Sequence, residues 1–267
     1  MVNVIKMDLY RMFRSKSTYF VLVGLLSFMI MLILPMNNSI GEPDADVKLG
    51  ISTNTEELKN IMDLKLLFTI MAGSNSFMMG IVIFSVLFIN REEVSGFTKN
   101  IAGQVQIRGM LALSKFVSQS VFVLLSFSSG LLVFFTVGNI VFESVKIGNI
   151  FDLFKEVGLQ FIFHVAFAAI VLGIITLFKQ SVASMLVGIL ITFGGLSYIY
   201  KIINDIIHKL VTDKAFNIMN YTITGIIPSV SIDSSVSTIV RGIIVSVVFI
   251  VIMLTYSVIM KQKRDVD

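Results

Sequence analysis

Six stretches of this chain, 17–41, 66–90, 116–142, 157–178, 180–200 and 242–260, contain no Asp, Glu, Lys or Arg. A helix needs roughly 20 mainly apolar residues to cross about 30 Å of hydrocarbon, and each stretch meets that length. One such stretch could be buried inside a large soluble protein. Six of them within 267 residues leave too little chain to cover them. Charge is correspondingly scarce: 14% of residues are charged and 55% are hydrophobic, with a mean hydropathy of +0.90. A soluble domain carries about 25% charged residues. The pattern predicts an all-α integral membrane protein, a single transmembrane domain over 1–267. Its six transmembrane helices are expected at about 18–36, 69–89, 116–139, 157–178, 182–200 and 241–260.

The distribution of Lys and Arg orients the bundle. With the N-terminus inside, twelve basic and five acidic residues fall on the cytoplasmic side, against nine basic and twelve acidic outside. Both termini are therefore expected in the cytoplasm of a bacterial cell, with the chain in its plasma membrane. A seventh uncharged stretch, 215–232, contains Asn217, Asn220, Thr222, Thr224, Gly225 and Pro228. Counting it as a span would put Lys261, Lys263 and Arg264 on the wrong side. It reads instead as short helices at the outer interface, within an extracellular loop over 201–240. The first apolar run is too long for a signal peptide and lacks a small-residue cleavage pattern, so it reads as a retained span.

Two segments outside the spans are informative. In 1–17, Ile5, Leu9, Met12 and Phe13 recur at helical spacing, with Lys6, Arg11, Arg14 and Lys16 mostly off that stripe. Such a helix can lie in the membrane surface with its cations near anionic lipid. The plainer alternative is a positive anchor for the first span. The segment 90–115, NREEVSGFTKNIAGQVQIRGMLALSK, is the only substantial cytoplasmic loop. Phe97, Ile101 and Val105 recur at four-residue spacing between Gly96 and Gly109, as in a short amphipathic helix. Glu92, Glu93, Lys99 and Arg108 give that loop a polar surface. The residues alone leave open a docking site for a soluble partner and a solvated turn that only fixes topology.

A Glu92-Glu93-x-x-Gly96-x-x-Lys99-Asn100 run, then Arg108 and a Leu111-x-x-Ser114-Lys115 entry into the third span, follow an amphipathic N-terminal helix. This arrangement resembles the permease subunits of type-2 ABC exporters, over essentially the whole chain in length and span number. The resemblance implies that 90–115 carries a coupling helix seated in a cleft of an ATP-binding-cassette ATPase subunit. Glu92, Glu93, Gly96, Phe97, Lys99, Asn100, Ile101 and Arg108 would then be the docking residues. It implies a second permease copy or a related permease, with ATP and Mg held by the ATPase and no cofactor in this chain. Short extracellular helices before the sixth span fit 215–232, and the turn at Lys179-Gln180-Ser181 fits a minor second contact. Small permeases of this kind resemble those that export, or give immunity to, antimicrobial peptides. A hydrophobic or amphipathic peptide is then the first cargo expected.

The chain carries no G-x-x-x-x-G-K-[ST] phosphate loop, no H-E-x-x-H and no nucleophile elbow. Cys is absent and His164 and His208 are the only histidines, so neither an enzyme nor a metal centre is expected. The basic excess follows membrane topology rather than nucleic acid. Gln160 and His164, four apart, share one face of the fourth span. They are read as helix–helix hydrogen-bonding groups, with a cargo-lining patch as the alternative. Asn75, between Ser74 and Ser76, is a candidate to kink the second span or line the same path. No span holds a charged residue well inside it, which argues against proton-coupled transport. The rival from another class is a membrane scaffold that recruits a soluble partner through 90–115.

Overall fold

The long uncharged stretches fold as helices because hydrocarbon leaves backbone amides no partner other than their own carbonyls. The computed structural model describes residues 2–36, 61–94, 109–142, 144–178, 180–211 and 217–263. In chain order these hold α1 (Val2–Arg14), α2 (Lys16–Ile33), β1 (Ile61–Asp63), α3 (Leu64–Gly73), α4 (Ser76–Val94) and α5 (Gly109–Val141). They continue with β2 (Ser144–Lys146), α6 (Ile150–Phe178), α7 (Ser181–Thr192), α8 (Ser197–Val211), a 3-10 turn (Ile218–Tyr221), α9 (Ile223–Ser229) and α10 (Val236–Lys263).

Four helices, α2, α5, α6 and α10, are each long and apolar enough to cross a membrane. Two bent pairs, α3 with α4 and α7 with α8, pass the same test together, which makes up to six crossings. The bends are 55° and 57°. The expected second and fifth spans are thus broken helices rather than straight ones. At the first break Asn75 takes a positive φ of 65°, a conformation Asn tolerates better than most residues. The Ser74 hydroxyl donates to the Met71 carbonyl at 2.7 Å, satisfying an acceptor that the break would strand. Kinking by Ser74, Asn75 and Ser76 is what the sequence indicated. The 33 residues of α5 amount to about 50 Å at 1.5 Å per residue, so this helix overruns the hydrocarbon.

Around α6 the other helices assemble. Two-thirds (67%) of its most apolar window is buried, against 11% for α10, which lies at the periphery. Glycines seat α10 on its neighbours: a Cβ at Gly173 of α6 would lie 3.0 Å from Met253 Sδ, and one at Gly109 of α5 would lie 2.7 Å from Val258 Cγ1. Small residues let helix backbones approach where no hydrophobic drive separates protein from lipid. The same device, Ser184, Gly188 and Thr192, is the buried face of α7.

Two features lie outside what the pattern indicated. β1 and β2 pair in parallel, Met62 opposite Val145, tying the approach to α3 to the exit from α5. The carbonyl of the Asn139 side chain accepts from Val145 N at 3.0 Å and fixes that ribbon. In addition, α8 occupies 197–211 as a helix, with Tyr198, Ile199, Ile202 and Ile206 exposed.

A Cβ at Gly188 would lie 2.6 Å from Val82 Cγ1, whereas one at Gly24 meets nothing within 4 Å. Gly188→Ala should therefore cost about 1–3 kcal/mol by overpacking, read as a lowered thermal transition in detergent. Gly24→Ala should leave that transition unchanged or slightly higher.

Candidate functional site

Helix α1 is held to the bundle by charge. Asp8 is fully buried, as is Met12 one turn on. The stripe of Ile5, Leu9 and Met12 is thus partly spent on packing against protein, with α1 lying along α5. Lys115 of α5 donates from Nζ to Asp8 Oδ1 at 2.7 Å and also to Glu92 Oε1. Arg11 Nη1 reaches the same Glu92 oxygen, and lies 3.5 Å from Asp8 Oδ1. Ser114 completes the set, donating to Asp8 Oδ2 at 2.5 Å. Phe88 lies beneath both cations, 5.3 Å from Lys115 Nζ and 5.9 Å from Arg11 Cζ, within cation–π range.

The quartet balances two carboxylates with two cations. Glu92 is 4% and Lys115 5% exposed, so each charge depends on its partners for the solvation that water would supply. Burial pushes the Glu92 carboxyl above its ordinary pKa, Lys115 opposes that, and the nearby Asp8 charge adds to it. The three elements joined are α1, the end of α4 and the start of α5. The last two are the roots of the segment 95–108.

Of the residues expected to dock a partner, Glu92 turns inward into this quartet rather than outward. The backbone of Glu93 belongs to α4. Gly96, Phe97, Lys99, Asn100, Ile101 and Arg108 lie outside the described residues.

At the opposite end, α6 carries a column of polar groups one turn apart: Glu156, Gln160 and His164, all fully buried. Glu156 Oε2 accepts from Ile232 N at 2.7 Å. The Gln160 amide donates to Val230 O at 3.0 Å and to Ile227 O at 3.4 Å. Together they suspend the segment 227–232 from α6. His164 Nδ1 lies 2.8 Å from the Gln160 carbonyl. A carbonyl only accepts, so Nδ1 carries the hydrogen and Nε2 is the bare acceptor. The ring stands edge-on to Phe127 at 5.0 Å and Phe77 at 5.9 Å. Its Nε2 and Gln160 Oε1 have no hydrogen-bond partner among the described residues. Gln160 thus bonds across to 227–230, His164 bonds only its own helix, and Asn75 takes the positive φ at the α3–α4 break.

No span was expected to hold a charge well inside it, and the buried charges lie toward helix ends. Helix α6 begins at Ile150, so Glu156, which bounded the fourth stretch, is inside the helix and fully buried. Lys115 and Glu92 are likewise buried at helix ends. Marking spans by their flanking charges assigns every such group to a loop by construction. Asp233 pairs with Lys65 at 2.8 Å rather than with Arg241, whose guanidinium lies 5.5 Å from the Tyr221 ring.

Sequence reasoning passed over Asp8 and Glu156. Each carried a signal: Asp8 is an acid inside the apolar stripe of Ile5, Leu9 and Met12, and Glu156 is one turn before Gln160. Among the described residues no group of three His, Cys, Asp or Glu side chains is placed to hold a metal. The chain matches no protein-family model and no curated protein sequence.

The quartet sets a quantitative expectation. Glu92→Ala or Lys115→Ala should each cost about 3–5 kcal/mol, because each leaves the buried set with one uncompensated charge. The double change to Glu92→Gln with Lys115→Met should cost less than the sum of its single changes. A double-mutant cycle on thermal stability in detergent reads that coupling; additivity would mean the groups do not interact.

Proposed function

We propose that this chain is the membrane permease subunit of an ATP-driven ABC exporter in a bacterial plasma membrane. It has both termini in the cytoplasm and its ATPase on a separate polypeptide. The observation that best supports the reading is the Asp8–Arg11–Glu92–Lys115 quartet, which locks α1 to both roots of the segment 95–108. A push on that segment cannot move α4 against α5 without stripping a buried charge of its partners. The three helix ends therefore move together, as a lever driven by a soluble ATPase requires. The resemblance of 92–115 to the coupling region of type-2 ABC permeases supports the same conclusion.

In this reading Glu93, Phe97, Lys99, Ile101 and Arg108 meet the ATPase, and Glu92 positions them from behind. Two permease subunits enclose the path. ATP-driven closure of two ATPase subunits rocks the bundles and moves a hydrophobic or amphipathic peptide outward, in export or in immunity. The largely apolar spans, with 15 Met and 23 Phe in the chain, suit such a cargo, because Met side chains repack readily around irregular surfaces.

The proposal expects an ATP-binding-cassette ATPase to be encoded beside this chain, and co-expression of the two tests it. The two should copurify, and Glu93→Ala with Lys99→Ala should abolish both the complex and its stimulated ATP hydrolysis while the thermal transition of the permease stays put. A complex that survives those changes unaltered sinks the docking assignment, and a complex that hydrolyses ATP without moving peptide favours a scaffold. The chain has no Cys, so single Cys substitutions report topology directly. Lys6→Cys should label only from the cytoplasm and Ser237→Cys only from outside.

A further inference from the structure

Beside the quartet lies a cleft of about 480 Å³ where α1 hands over to α2, lined by Tyr10, Arg11, Arg14, Ser15, Lys16 and Phe88. Three of those six residues are cations and none is acidic. Arg11 is spoken for on its inner side by Glu92 and Asp8. Arg14 donates one of its N–H groups to the Tyr10 hydroxyl at 2.7 Å, which props the guanidinium over the cleft. A guanidinium has five N–H donors in all. Lys16 is exposed at the start of α2. The cleft is thus a concave cationic surface with an aromatic floor, at the end of a helix apolar enough to span a membrane.

We propose that this cleft binds the phosphate-bearing headgroup of an anionic membrane lipid. What selects a lipid over a free anion is the surface that continues from it. Phe20 and Val23 follow Lys16 at i+4 and i+7 on one face of α2, and they are 80% and 61% exposed. A headgroup held by Arg14 and Lys16 leaves its acyl chains along that apolar stripe. Arginine matches phosphate geometry with paired N–H donors, and lysine adds a point charge. The inference does not rest on the exporter reading; it needs only that α2 lies in a bilayer.

The full-length chain in detergent, loaded with phosphatidylglycerol and read by native mass spectrometry, provides the test. One phosphatidylglycerol should be retained where phosphatidylcholine is not. Arg14→Gln with Lys16→Gln should weaken it by about tenfold or more, since each cation near a headgroup contributes about fivefold. Lys201→Gln with Lys209→Gln, on α8, should leave it unchanged. Glycerol 1-phosphate, the headgroup without its tails, should not displace it. Equal retention of the two lipids, or phosphatidylglycerol binding untouched by the Arg14 and Lys16 changes, overturns the proposal. So does displacement by glycerol 1-phosphate at the lipid's own concentration, which would mark a free-anion site. If the double variant does not fold, the unaltered chain decides: raising salt about tenfold must loosen the bound phosphatidylglycerol, and indifference to salt overturns the site.

Discussion

The structure turns on a neutral set of four charges that water does not reach well. Removing a carboxylate or an ammonium from water costs several kcal/mol even after relaxation. Asp8, Glu92 and Lys115 are buried, so each relies on its partners in place of water. That makes the arrangement intolerant of displacement. Apolar packing of α1 on α5 would accept a small slide along either helix, because one methyl replaces another at little cost. Ion pairs at 2.7 Å do not accept it. The quartet thus converts three separate helix ends into one rigid corner.

Helix α6 has the complementary role. It is the most enclosed of the membrane-length helices, and its glycine at 173 and its neighbour's at 242 let α10 lie close against it. Its polar column serves as a hanger rather than as a second rigid corner. Glu156 and Gln160 satisfy backbone groups of 227–232, a stretch that could not otherwise enter an apolar bundle without leaving amides and carbonyls bare. His164, deeper in, spends its one hydrogen on its own helix and shows a lone pair to an aromatic enclosure.

How much of this was legible in the sequence depends on which physical quantity each feature reports. The helices were legible because hydrocarbon forces a length, and the uncharged stretches display that length directly. The break at 73–76 was legible too, since Ser, Asn and Ser after Gly offer both the dihedral freedom and the replacement donor a kink requires. The second break, at 193–196, has only Gly194 and Gly195 to announce it, and glycine is common inside membrane helices. The β1–β2 ribbon joins residues about eighty positions apart, and nothing local encodes such pairing. Asp8 and Glu156 were missed for a sharper reason. Glu156 flanks the uncharged stretch 157–178 and so looks like a loop residue, while Asp8 sits among the cations of a helix that looks interfacial. Their partners, Lys115 and Gln160, were visible, but the pairing is a property of the fold.

The two ends of the bundle are therefore built differently, and the difference has mechanical content. One end has the quartet, continuous helices and the anchoring of α1. The other has both helix breaks, the hydroxyls of Tyr200 on α8 and Thr224 on α9 in contact at 3.3 Å, and a loop suspended by two side chains. A break removes i to i−4 hydrogen bonds, at Met71 partly replaced by the donated Ser74 hydroxyl, so bending there costs less than bending an intact helix. In the proposed exporter, displacement imposed at the rigid corner would pass along α4 and α5, which are continuous helices. It would be released where the α3–α4 break meets α9, with Gly73 set against Pro228. The exporter proposed above would require this order: stiff where force enters, compliant where the path must open.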